Sequence, residues 1–385
     1  MSDSNWQPST LAAQGLGWID DATKAVSPPI HMSSTHLRDP DNQYRNGRDY
    51  IRDDNPSFDQ AEALLAKLEN GKKALLLSSG MAAATAVFLA LRPGDHVIAA
   101  RNMYWSLRRW LSTYATAWGL QVEFVDMTDL DAFRALIRPG QTKLVWIETP
   151  SNPLWTITDI AAVAEIAHKA GAKVTADSTV ATPVLSQPLT LGADIVMHSA
   201  TKYLNGHSDI CAGALVTNNI DNAFWQGVAG NRGTLGGIIG SFEAWLLLRG
   251  MRSLFPRVER ACASAQKLAE GLRRHRWVES VLYPGLSDFP GHALAAKQMK
   301  GGFSGMLSIR VKGGEGGAIR TAAAVEIWKR ATSLGGTESL IEHRASIEGE
   351  GSPVPMDLLR LSVGLENAED LLADLSNALE TAHRN

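Results

Sequence analysis

The stretch Asp194-Ile195-Val196-Met197-His198-Ser199-Ala200-Thr201-Lys202-Tyr203 decides how the chain is read. Its β-branched pair, Ile195 and Val196, predicts a buried strand that delivers Ser199, Thr201 and Lys202 at its end. Two hydroxyls beside a lysine suit a small phosphate-bearing molecule that the amine can also attack. Asp177 closes an earlier strand-like run, Lys173-Val174-Thr175-Ala176. Lysine, aspartate and hydroxyls at strand ends point to pyridoxal 5'-phosphate (PLP), with the lysine on the aldehyde and the aspartate at the pyridine nitrogen. A lysine is ordinarily a solvated surface residue. Lys202 differs because polar groups crowd just past an apolar strand, where open α/β sheets gather their ligands.

At 385 residues the chain is expected to form one large domain and a smaller one. Its 45% hydrophobic and 20% charged residues are those of a globular protein with a sizeable core. A net charge of −3, with no basic tract, makes no electrostatic case for nucleic acid. Cys211 and Cys262 have neither CxxC spacing nor a disulfide framework, and both are expected as small core residues in a reducing compartment. The polar start, Met1-Ser2-Asp3-Ser4-Asn5, lacks a signal-peptide pattern, and no apolar run reaches membrane-spanning length, so a cytoplasmic location is expected.

Residues 1–50, rich in Pro, Asp and Asn, read as an extended arm. Asn55-Pro56-Ser57 then opens a helix whose apolar face is Phe58, Ala61, Leu64, Leu65 and Leu68. Strand-like runs at 74–77, 96–100, 121–125, 143–147, 173–176 and 194–197 alternate with helical segments from Met81, at 131–137 and at 159–169. That alternation predicts an α/β fold, a mostly parallel sheet with helices on both faces. A helix around 242–248 leaves this layer, and a strand at 305–311 with a helix at 367–378 makes a smaller α/β domain. The expected division is a large domain over 51–238 and a small one over 239–385. Gly313-Gly314-Glu315-Gly316-Gly317 lacks the Walker lysine and GxGxxG spacing and reads as a flexible connection.

Ser78-Ser79-Gly80-Met81-Ala82-Ala83 follows a strand and opens a helix, whose free N–H groups can bind phosphate. With Ser199 and Thr201 it forms one candidate phosphate cup. Tyr104, just past another strand, can stack on an aromatic ring. His198-Ser199-Ala200-Thr201-Lys202-Tyr203-Leu204, with Gly206-His207-Ser208-Asp209, resembles the signature of the Cys/Met-metabolism PLP enzymes. Ser79-Gly80-Met81-Ala82-Ala83, Glu148-Thr149-Pro150-Ser151-Asn152-Pro153 and Leu361-Ser362-Val363-Gly364-Leu365-Glu366 extend the resemblance along nearly the whole chain.

The resemblance implies a type I aminotransferase-like fold with a seven-stranded sheet, and a homotetramer of dimers with shared active sites. It implies Lys202 as the cofactor lysine and proton carrier and Asp177 at the pyridine nitrogen. Gly80, Met81, Ser199 and Thr201 fall at phosphate positions, Tyr104 at the stacking tyrosine, where it is also expected to assist proton transfer, and Asn152 near the phenolic oxygen. Tyr50 and Arg52 match a Tyr-x-Arg pair that reaches a neighbouring subunit's phosphate. Arg360 matches the α-carboxylate clamp, Ser333 a second carboxylate contact and Arg109 a distal-carboxylate arginine. His198 and His207 have no metal-ligand companions, so hydrogen-bonded structural roles are expected, and no metal site is. Thr332, where related γ-enzymes commonly have glutamate, and Leu334, where β-lyases have tryptophan, depart from both patterns. Glu342-His343-Arg344-Ala345-Ser346-Ile347-Glu348-Gly349 replaces the usual Pro-Ala-Ser-Met-Thr-His. The expected reaction is elimination or replacement at Cγ of a homoserine- or homocysteine-type amino acid. Cystathionine β-elimination and a γ-lyase for an oxygen-linked amino acid such as canavanine are the alternatives.

Overall fold

The computed structural model describes residues 6–349, 352 and 354–384. Seven strands form the large sheet: β1 (Lys73–Leu77), β2 (His96–Ala100), β3 (Gln121–Val125), β4 (Thr142–Glu148), β5 (Lys173–Asp177), β6 (Ile195–His198) and β7 (Gly213–Thr217). Their spatial order is β1-β7-β6-β5-β4-β2-β3. All run parallel except β7, which lies antiparallel between β1 and β6. Strands covered on both faces are near-continuous apolar runs, as in Val97 to Ala100 of β2. Predicted and observed bounds coincide for β2 and β3. The turn-back strand β7 was not anticipated.

Helices cover both faces. Trp146, Phe88 and Phe133 centre one apolar core. On the other face, helices Pro56–Leu68, Ser241–Met251 and Leu254–Leu272 bury a second core. That core continues into a five-stranded sheet of order β10-β11-β12-β9-β8. Its strands are β8 (Val278–Leu282), β9 (Met306–Val311), β10 (Lys329–Arg330), β11 (Leu340–His343) and β12 (Leu358–Ser362). The continuity crosses residue 238, where the division into large and small domains is expected. Among the described residues, no helix is long and apolar enough to cross a membrane.

Local chemistry accounts for the element starts. Asn55 caps its helix by accepting from the Ser57 N–H, with Pro56 in the first turn. Asn222 and Asn367 cap theirs in the same way.

Two expectations need correction. The N-terminal arm is not wholly extended: Pro8–Gln14 is a helix, because Leu11 and Ala12 find burial beside helix Pro56–Leu68. The first five residues of the arm lie outside the described part. The glycine-rich run is not a flexible connection either, for Gly314–Ala324 is helical. Gly317 is needed there because a Cβ would stand 2.4 Å from the Lys312 carbonyl oxygen.

Candidate active site

The parallel strands end on one side of the sheet, and their C-terminal ends build a cleft against the small domain. Its cavity of about 290 Å³ is lined by Gly80, Met81, Tyr104, Asn152, Asp177, Ser199, Thr201, Lys202, Thr332, Ser333 and Arg360, among others. Eleven residues singled out in the sequence therefore meet in one place. The elements that carry them span positions 80 to 360.

The floor is a turn cradle. β6 ends at His198, and the Lys202 N–H closes back on the Ser199 carbonyl at 3.1 Å. The Thr201 hydroxyl donates to the Ala212 carbonyl at 3.1 Å and accepts from the Ala212 N–H at 2.9 Å, tying the lysine turn to β7. Opposite it, helix Gly80–Phe88 begins with Ser79 as cap, its Oγ accepting from the Ala82 N–H at 3.0 Å. A Cβ on Gly80 would stand 2.8 Å from the Ser199 Cβ, so only glycine allows this approach. Gly213 similarly admits the Ser79 carbonyl, 2.1 Å from where its Cβ would be. The outcome is a helix N-terminus facing two strand-end hydroxyls, an arrangement that can take a phosphoryl group without a basic side chain.

Asp177 ends β5, 8% exposed, and its side chain accepts from the Thr179 N–H at 3.0 Å. Burial raises its pKa. The neighbouring β4 presents Glu148 in register with Asp177. Burial, then the charge of Asp177, pushes Glu148 up to about 8. One Glu148 oxygen accepts from the Tyr104 N–H at 2.7 Å and the other from the Asn152 N–H at 2.9 Å. A single carboxyl thus fixes two loops of the cleft. The sequence signal for this role of Glu148 is its place at a strand end, at the head of the Glu148–Pro153 motif.

Lys202 donates to the Ser333 hydroxyl at 2.7 Å. Burial, followed by the nearby Arg360 guanidinium, lowers its pKa to about 8. Arg360, on β12 and 4% exposed, donates to Asn152 Oδ1 at 3.3 Å, to the Ser333 carbonyl at 2.8 Å and to Glu342 at 2.7 Å. Ser333 holds φ of 92°, a strained value for a residue with a Cβ, at the point where lysine and arginine converge. Trp155 and Ser308 link the two domains behind the site. The indole N–H donates to Ser308 Oγ at 2.9 Å, and that hydroxyl donates to the Pro153 carbonyl at 2.8 Å.

Three singled-out residues are elsewhere. Tyr50 and Arg52 are exposed, with the guanidinium 5.5 Å from the tyrosine ring, and neither lines this chain's cleft. Arg109 is exposed on helix Trp105–Trp110, which presents Trp105 and Leu107 to the cavity instead. Cys211 is corrected: it is exposed and lines the cleft, because it sits in the loop returning from Lys202 to β7, whereas Cys262 is buried. His198 is buried 2.6 Å from Glu69, and His207 Nδ1 lies 2.7 Å from the Asn205 carbonyl. Thr179, Glu342, Arg344 and Glu348 also belong to this neighbourhood, the last three from the stretch whose sequence departs from the family pattern.

Comparison with known proteins places these residues in context. Residues 9–380 match the family described as Cys/Met metabolism PLP-dependent enzyme. A cystathionine γ-synthase of Mycobacterium tuberculosis is 46% identical over 378 residues, covering 97% of this chain and 96% of that protein. A cystathionine γ-lyase of Bacillus subtilis is 40% identical over 379 residues, covering 96% and 98%. The crystal structure of a Xanthomonas oryzae cystathionine γ-synthase in complex with cystathionine superposes with a TM-score of 0.93 at 39% identity, covering 98% of this chain and 99% of that one.

Proposed function

We propose, from the premise that this chain belongs to the Cys/Met metabolism PLP-dependent enzymes, that it is a cystathionine γ-synthase-like enzyme acting at the γ carbon of a homoserine-type amino acid. The observation that carries this reading is the 46% identity with a γ-synthase over 97% of the chain. PLP is the cofactor of this family, and the residues present fit it. Asp177 is a buried carboxyl that accepts from the Thr179 N–H and is suited to a protonated ring nitrogen. Gly80, Met81, Ser199 and Thr201 frame a phosphate-sized cup beside Lys202. When bound, PLP supplies an electron sink for charge that develops on substrate carbon.

The chain's own groups supply the rest. With its amine held near pKa 8, Lys202 can both accept and return a proton close to neutral pH. Reaction at a γ carbon needs protons moved at Cα and then at Cβ, and Lys202 is the group placed to serve both. Arg360 and the Asn152 and Ser333 loops form the subsite for an α-carboxylate. Tyr104, its backbone anchored by Glu148, offers a ring face for stacking. Trp105, Leu107, Val180 and Leu334 line the cavity with apolar surface that limits water.

A homo-oligomer with shared sites accompanies this reading. Exposed apolar side chains concentrate in the arm: Val26 is 69%, Met32 72% and Leu37 91% exposed. A second copy covering the arm would bury them and could bring Tyr50 and Arg52 to the neighbouring phosphate cup.

The test is product analysis with an activated homoserine, with and without cysteine. Cystathionine as the main product supports replacement. A γ-lyase is the second reading, favoured by the 40% identity with a cystathionine γ-lyase over 96% of the chain, and 2-oxobutyrate without cystathionine would select it. Pyruvate and homocysteine from cystathionine would refute action at the γ carbon.

A further inference from the structure

Behind Arg360 the charges alternate. Glu342 stands opposite Arg360 across the β11–β12 ladder, so both side chains leave the same face. A single oxygen, Oε2 of Glu342, accepts from Arg360 at 2.7 Å and from Arg344 at 2.8 Å. Arg344 donates its other terminal nitrogen to Glu348 at 2.9 Å, and the Ser352 hydroxyl donates to that carboxylate's second oxygen at 2.7 Å. Arg344 is 2% exposed, and its Nε is buried with no hydrogen-bond partner. Arg344 also contributes to the wall of the cleft.

Packing alone does not explain this expensive construction. A guanidinium paired to its own carboxylate is a weak clamp for a second one, since the internal anion cancels its field. Glu342 would have that effect on Arg360 if Arg360 were its only partner. We propose that Arg344 and Glu348 are positioning residues for the carboxylate subsite. Arg344 shares the Glu342 charge, so that Arg360 keeps a net attraction for a carboxylate ligand, and Glu348 fixes and partly balances Arg344. This rests on the reading of Arg360 as the substrate-carboxylate clamp and adds how its strength is set. Asn152 and the Ser333 carbonyl orient the fork of Arg360, whereas the Arg344 pair sets its charge.

The test uses the full-length PLP-loaded protein and two probes, propionate and neutral propionamide, titrated through the cofactor's visible absorbance. Arg344→Met is expected to weaken propionate about tenfold and to leave propionamide within about twofold of the parent. Arg344→Lys, which keeps the charge, recovers most of that loss. Glu348→Gln, which leaves Arg344 less balanced, tightens propionate about threefold. Equal losses for both probes in Arg344→Met would reveal simple structural damage and overturn the proposal. So would an unchanged propionate affinity. If Arg344→Met does not fold, Glu348→Gln decides by sign: tighter propionate supports the proposal, and unchanged or weaker binding overturns it. Arg360→Met separates the two levels. Unchanged propionate binding there defeats the reading of Arg360 itself, whereas lost binding there with no effect of Arg344→Met defeats only the present inference.

Discussion

Replacing Glu148 by Gln tests the electrostatics of the cleft most directly. The side chain is 5% exposed and accepts two backbone N–H groups, from Tyr104 and Asn152. Glutamine has one carbonyl oxygen, so one of these buried donors must face an NH2 group. That mismatch costs about 1–3 kcal/mol at any pH. The second effect depends on pH. Glu148 rises from 4.5 to about 8 in the folded chain. Between those values the folded state binds more protons than the unfolded one, so the parent loses stability as pH rises. From pH 6 to pH 9 the loss attributable to this group is on the order of 3 kcal/mol, and glutamine, which does not titrate, escapes it. Entropy scaling for 385 residues converts 1 kcal/mol into roughly 1 °C of melting temperature. Melting of apo-protein is therefore expected to place Glu148→Gln about 1–3 °C below the parent near neutral protonation. That gap closes or reverses by pH 9. A gap that stayed constant from pH 6 to pH 9, or widened, would refute the claim that Glu148 is held protonated by burial beside Asp177.

Three further outcomes follow from the same geometry. Gly80→Ala would place a Cβ 2.8 Å from the Ser199 Cβ and 3.1 Å from its Cα, and is expected to weaken PLP affinity at least about tenfold in fluorescence titrations of apo-protein; unaltered affinity would show that the cup does not depend on this approach. The rate at which apo-protein turns yellow with PLP should rise with pH and level off above about 8, as the Lys202 amine loses its proton. Arg360→Met should move that midpoint upward, because Arg360 helps hold the amine's pKa down, and a parent midpoint near 10.5 would contradict the burial of Lys202. Ser308→Ala strands the buried Trp155 indole N–H, for a loss of about 1–3 kcal/mol and a lower melting temperature; no change in melting would remove Ser308 as a link between the domains.

Where local rules sufficed, the sequence was legible. β2 and β3 coincide with their predicted bounds because each is a short β-prone run bounded by turn residues. Asn55-Pro56 marks its helix because capping is a property of two or three neighbours. Strand β7 was missed, although Ala212 to Val216 is an apolar run ahead of Asn218-Asn219. Its antiparallel return between β1 and β6 is set by sheet pairing with strands far away in sequence, which no neighbouring residue specifies. Arg109 is a separate case. Five residues after Tyr104 it satisfies a motif, yet helix Trp105–Trp110 leaves it exposed in the single chain.

From its residues alone this chain determined a mostly parallel sheet and a strand-end lysine with a carboxylate and hydroxyls to match a phosphorylated pyridine. These are consequences of apolar runs, caps and short motifs, each complete within a few residues. Only the tertiary structure decided that Glu148 binds two loops, that Lys202 sits near pKa 8 and that Glu342 is shared by Arg344 and Arg360. Those properties arise from removal of water around charges brought together from distant parts of the chain, a quantity that no neighbour in sequence can specify.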